Sequence, residues 1–152
     1  MADQFFDTSA AAKHYRVELG TPRVDALLAQ PGVAHVLSAL SVVEFHSVLA
    51  RLTRTGQISV ADFHLARGRF LADIVAGLWQ VVPVADAHFH RAQQLLVQHG
   101  LARSLRTLDA LQLAVALDRD AAAPLGAFVC ADTNLCPIAA VEGLTVINPE
   151  VP

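Results

Sequence analysis

Short apolar runs that end in small or polar residues alternate along this chain with longer amphipathic stretches. That rhythm constrains the fold more than any other feature. The apolar runs are residues 3–7, 33–39, 78–84, 127–131 and 144–147. Helix-like patterns fill the intervals: 9–17, 23–30, 41–55, 59–75, 87–98, 107–117 and 134–141. Strands alternating with helices predict a parallel sheet with helices on both faces. The chain has 152 residues, over half of them apolar, and no repeat or low-complexity linker, so it is read as one α/β domain spanning 1–152.

Local signals set the expected boundaries. Thr21 before Pro22 reads as a helix N-cap with proline in the first turn. Ser41 and Thr107 read as N-caps of the third and sixth helices. Ser59 or Asp62 opens the fourth. Val42, Phe45, Val48, Leu49 and Leu52 follow a 3.6-residue period, and Phe63, Ala66, Phe70 and Ile74 share one face of the next helix. Residues 118–126, with Pro124, read as a connection.

Four acids stand where packing alone would not put them. Asp7 closes the first strand after Phe5-Phe6, and Asp132 closes the fourth after Phe128-Val129-Cys130-Ala131. Glu44 lies in an apolar run whose only other ionisable residue is His46. Asp109 is the only charged residue between Thr107 and Leu117. Each acid alone also reads as a cap, a turn residue or a first-turn charge. Together they matter more, because ligands of open α/β sheets bind at the carboxyl ends of strands, at the switch point of the strand order. If strands one and four are neighbours there, all four acids can converge. Clustered carboxylates cannot all stay ionised without cations, and an all-oxygen donor set selects Mg²⁺ or Mn²⁺. Such a cluster suits phosphodiester hydrolysis. Ser9 and Thr133 are expected to aim the carboxylates through hydrogen bonds. Thr8 reads as a plain turn residue.

Other chemistries lack support. There is no G-x-G-x-x-G or G-K-[ST] for phosphate cradling, and no G-x-S-x-G for a serine hydrolase. Ser9 stands where an Asp-x-Asp phosphatase needs its second aspartate. The only lysine is Lys13, which disfavours a receiver domain. On a helix His88 and His90 point apart and read as surface or capping residues. The net charge of −3 excludes a strongly basic nucleic-acid glove, although masking four carboxylates with cations would turn the balance slightly positive. Ten of the eleven basic residues are arginine, which suits phosphate contacts. Cys130 and Cys136 have no metal-site spacing and read as free thiols of a reducing compartment. With no secretory start and no membrane-length apolar run, a soluble cytoplasmic protein is expected.

Phe6-Asp7-Thr8-Ser9-Ala10 with Lys13 and Tyr15, Ser41-Val42-Val43-Glu44-Phe45, Leu108-Asp109-Ala110-Leu111-Gln112-Leu113-Ala114, Ala131-Asp132-Thr133-Asn134-Leu135 and Glu142-Gly143-Leu144-Thr145-Val146-Ile147-Asn148-Pro149 together resemble the PIN domain, and within it the VapC-type toxins. The resemblance covers nearly the whole chain. It implies a three-layer α/β/α sandwich with a five-stranded parallel sheet of order 3-2-1-4-5. It further implies an Mg²⁺- or Mn²⁺-dependent endoribonuclease that leaves a 5′-phosphate. Asp7, Glu44, Asp109 and Asp132 carry over as its metal-binding and catalytic acids. A cognate antitoxin lying in the groove of helices 41–55 and 59–75, a homodimer, and an RNA path flanked by Arg51, Arg54, Arg67 and Arg69 are the implied partners and surfaces. Gln112 stands where many relatives have His, and Cys130 where Thr or Ser is common. A PIN-fold module that binds RNA or a partner without cleaving is the alternative.

Overall fold

β1 (Gln4–Phe6) lies in the middle of a five-stranded, all-parallel sheet of order β3-β2-β1-β4-β5, in a computed structural model that describes residues 2–152. The other strands are β2 (His35–Ser38), β3 (Gln80–Val82), β4 (Ala127–Val129) and β5 (Val146–Ile147). Gln4 pairs with His35 on one side of β1 and with Ala127 on the other. The strand order therefore reverses at β1, and the ends of β1 and β4 lie side by side.

Side chains alternate across a strand, so a three-residue strand can serve two cores. Phe5, Val36 and Phe128 join α5 (Asp86–His99), α6 (Thr107–Ala122) and α7 (Leu135–Val141) in one apolar layer. Phe6, Leu37 and Val129 join the opposite layer. That layer contains α1 (Thr8–Ala11), α2 (Thr21–Leu28), α3 (Ala39–Arg54) and α4 (Val60–Val75). Both faces are covered, as an all-parallel sheet requires, and the α/β/α sandwich expected from the sequence is the fold observed. Phe63, Ala66, Phe70 and Ile74 of α4 all pack on the second layer. Among the described residues no helix is long and apolar enough to cross a membrane.

Several caps differ from those expected. Gly20, at φ 91°, is the N-cap of α2. A Cβ there would meet the Pro149 backbone at 3.1 Å in a conformation that already favours glycine. Thr21 lies inside the helix, and its hydroxyl donates to the carbonyls of Lys13 and Arg16. Ser38, not Ser41, caps α3, taking the Ser41 N–H on its Oγ. Arg106, not Thr107, is the N-cap of α6. Residues 118–122, expected in a connection, extend α6 by more than a turn: the helix continues past the core with Asp118 exposed and Arg119 and Asp120 half-buried. Ser59 and Asp62 act together as a reciprocal capping box on α4. His88 does cap α5, its Nδ1 accepting the Ala85 N–H, but it is buried rather than on the surface. Both cysteines are free thiols.

Candidate metal and nucleic-acid site

The carboxyl ends of β1 and β4 open into a cleft of about 680 Å³. Asp7, Glu44, Asp109 and Asp132 all line it, with Thr8, Ser9 and Arg106 among their neighbours. Asp7 leaves β1 directly into α1 and is that helix's N-cap. Glu44 projects from the second turn of α3, and Asp109 from the first turn of α6. Asp132 follows β4 in the turn before α7, where its Oδ1 accepts the Asn134 and Leu135 N–H groups at 2.7 and 3.2 Å. Capping and lining the cleft are thus compatible duties: Asp7 and Asp132 each serve a helix start with one oxygen.

Asp7 is only 5% exposed. Its Oδ2 accepts from the Ser9 amide at 3.0 Å and the Ser9 hydroxyl at 2.5 Å. Cys130 Sγ stands 3.9 Å from the same oxygen and takes the Asp132 N–H at 3.4 Å, so a thiol occupies the junction between the two acids. Burial raises the Asp7 pKa above the usual carboxylate range. The Ser9 hydrogen bonds oppose that shift, and the charges of Asp109 and Asp132 reinforce it. Glu44 is raised in the same way, first by burial and further by Asp7 and Asp109, against a hydrogen bond from Gln112.

Gln112 is the hub beneath the cleft. It is 0% exposed. Its Oε1 accepts the Ser38 hydroxyl at 2.6 Å. Its amide nitrogen lies 3.0, 2.7 and 2.9 Å from Thr8 Oγ1, Ser41 Oγ and Glu44 Oε1. One side chain of α6 thereby holds β2, α3 and α1. Thr8 is more than a turn residue: it is buried, accepts from Gln112 and faces Glu44 Oε1 at 3.5 Å. Thr133 is exposed and makes no side-chain hydrogen bond among the described residues, so the aiming role expected of it lacks a contact. Of the four arginines expected beside an RNA path, Arg51 lines the cleft. Arg67 donates to His46, and Arg69 lies 5.8 Å from the Tyr15 ring centroid.

Arg106 is the neighbour of the acids that sequence reasoning missed. Its Nε donates to Asp109 Oδ2 at 2.9 Å and its Nη2 to Asp132 Oδ2 at 2.7 Å. The i,i+3 spacing to Asp109 was the available signal. Among the described residues, no three His, Cys, Asp or Glu side chains already close round a single point as an ion cage would. Asp7 Oδ1, Glu44 Oε2 and Asp109 Oδ1 nevertheless carry no hydrogen bond from the described residues, and none of them is sealed from solvent. Each of these carboxylates is anchored by one oxygen and leaves the other free. A guanidinium already bridges two of the acids. This donor set fits a hard divalent cation.

A PIN domain family model matches residues 5–140, and the chain belongs to the PIN domain family. Its fold is similar to that of VapC20 from Mycobacterium tuberculosis, a sarcin-ricin loop cleaving toxin (19% identity, TM-score 0.68, covering 97% of this chain and 98% of that one). It is also similar to FitAcB from Neisseria gonorrhoeae (20% identity, TM-score 0.66, 96% and 97% coverage) and to a toxin–antitoxin complex from Klebsiella pneumoniae (16% identity, TM-score 0.61, 96% and 97% coverage). At these identities the likeness is one of fold. No curated protein matches the chain in sequence.

Proposed function

We propose that this protein is a divalent-metal-dependent endoribonuclease, the toxin of a type II toxin–antitoxin pair. The observation that carries the reading is the meeting of Asp7, Glu44, Asp109 and Asp132 in one cleft at the switch point, two of them with pKa values raised by burial and mutual repulsion. Buried, uncompensated carboxylates are costly, and a bound cation relieves that cost. The likeness in fold to a sarcin-ricin loop cleaving toxin and to a toxin–antitoxin complex supports RNA as substrate and an antitoxin as partner.

Asp7, Glu44 and Asp109 would hold Mg²⁺ or Mn²⁺ through their free oxygens, with Asp132 completing the acidic set. The metal would supply Lewis acidity, making water a nucleophile near neutral pH and offsetting charge on the leaving oxygen. The chain's own residues do the positioning. Ser9 fixes the rotation of Asp7 through two hydrogen bonds to one oxygen. Gln112 fixes Glu44 from below. Arg51 and Arg16, both lining the cleft, face the phosphates of a strand laid across it.

The test uses purified chain freed of any antitoxin. It cleaves RNA with Mg²⁺ or Mn²⁺, stops with a chelator, and leaves 5′-phosphate ends, while Asp7→Asn folds but does not cleave. Cleavage by Asp7→Asn at the wild-type rate would sink the assignment. A binding-only module is the second reading, favoured by Arg106, which already neutralises Asp109 and Asp132. RNA binding without cleavage at any divalent metal concentration would establish it.

A further inference from the structure

Asp132 has no free oxygen. Its Oδ1 takes two backbone N–H groups and its Oδ2 takes Arg106. Asp109 is half committed, to the same guanidinium. The two contacts differ in kind. The amides capping α7 are fixed by the backbone, whereas the Arg106 side chain is 68% exposed and can leave without disturbing any packed group. Arg106 is also the α6 N-cap residue, with extended backbone at φ −86° and ψ 159°, so its main chain is anchored three residues before Asp109. Its positive charge sits beside two acids that also act electrostatically on Asp7.

We propose that Arg106 is the resident counter-cation of this site: it keeps Asp109 and Asp132 apart from a divalent metal until the metal displaces it. The inference rests on the metal-dependent reading above and adds a competitor built into the chain. Arg106 is a positioning residue in this scheme. In the metal-free protein it neutralises Asp109 and Asp132 and holds the turn after β4 against α6. Metal binding releases the guanidinium, which remains tethered at the mouth of the cleft. Asp132 then becomes available as a donor through Oδ2, with Oδ1 still bound to the α7 amides. Metal affinity is consequently lower than four acids alone would give.

Titration calorimetry with Mn²⁺ on the intact chain tests this. R106A should bind Mn²⁺ more tightly than wild type by about five- to tenfold, the scale of two solvent-exposed ion pairs. R106K, which keeps the charge but cannot bridge two carboxylates in a planar fork, should fall between them. Nitrogen-15 NMR gives a readout that needs no working variant. The Arg106 Nε–H signal, hydrogen-bonded to Asp109 in the metal-free protein, should shift and lose its protection from exchange as Mg²⁺ is added. If wild type binds Mn²⁺ and R106A binds it equally or more weakly, the displacement idea is overturned while the metal reading stands. An Arg106 Nε–H signal unmoved at saturating Mg²⁺ overturns it too. If neither protein binds metal, the nuclease reading fails and the displacement idea goes with it.

Discussion

The two halves of the acidic cleft are held in opposite ways. In one half, called the inner half for short, Asp7 and Glu44 are anchored by neutral donors: Ser9, Thr8 and Gln112. In the other half, called the outer half, Asp109 and Asp132 share one arginine. Neutral hydrogen bonds orient a carboxylate but leave its charge uncompensated. A guanidinium does both. Burial raises the pKa of both Asp7 and Glu44, whereas Asp109 and Asp132 share the charge of Arg106. Under the metal-dependent reading proposed above, Asp7 and Glu44 would create the demand for a cation, and Asp109 and Asp132 would set how readily one enters.

The largest expected effect is on chemistry at the inner half. Asp7→Asn should lower single-turnover RNA cleavage in Mn²⁺ by roughly 10²–10⁴-fold, the scale of losing an essential group at the reacting centre. A loss of similar size for Asp132→Asn with none for Asp7→Asn would invert the roles of the two halves.

Next in size is the hub. Gln112→Leu leaves the fully buried Ser38 hydroxyl and the half-buried Glu44 without their shared partner. Urea unfolding should show a loss of about 2–4 kcal/mol. A loss below about 0.5 kcal/mol would mean that the inner half does not depend on this amide.

Stability against pH separates the halves more finely. Asp7 has a folded pKa raised above its unfolded value near 4. The folded state then binds more protons than the unfolded state in the window between those values. Stability contributed by this group is present below the unfolded pKa and is lost as pH rises through the raised folded pKa. Asp7→Asn, which keeps an N-cap side chain, should melt above wild type at pH 7 in chelator. That advantage should shrink on acidification below pH 4 and when Mn²⁺ stabilises the wild type. Asp132→Asn should instead melt slightly lower than wild type at pH 7, because it loses an exposed ion pair of about 1 kcal/mol or less. Equal shifts for the two variants would erase the distinction.

The smallest effect contrasts two hydroxyls. Ser9→Ala should destabilise by about 1 kcal/mol and weaken Mn²⁺ binding, whereas Thr133→Ala should stay within about 0.5 kcal/mol of wild type in the same calorimetric and unfolding measurements.

Much of this was legible in the sequence, for identifiable reasons. Phe5-Phe6-Asp7 and Phe128-Val129 before Asp132 are apolar runs ending in acids, and the sheet edge sits where they stop. Glu44 stood out because its run offered no neighbour to neutralise it. The caps were harder. Ser38 and Ser41 are three residues apart, each able to bond the other's turn, and only the pairing of Ser38 in β2 with Val82 in β3 decides where the strand yields to the helix. Residues 118–122 stayed helical because a helix can leave the core once started, a continuation that apolar periodicity does not register. Gln112 was noted as a departure from a family pattern, but its role was hidden because its partners Ser38 and Thr8 lie 74 and 104 residues away. Arg106 was hidden for a similar reason: its second partner, Asp132, is 26 residues further on.

Asp7 directly follows a strand whose adjacent residues, Phe5 and Phe6, are keyed into opposite apolar layers. A three-residue strand has little slack to absorb a disagreement between those layers. Loosening either layer, even at a helix far from the cleft, should rotate or shift the strand's end and carry the carboxylate with it. The metal affinity proposed for the site would in that sense gauge how well both layers are packed. Substitutions that look purely architectural, such as one at Leu95 on one side or Phe45 on the other, belong in any survey of what tunes the site.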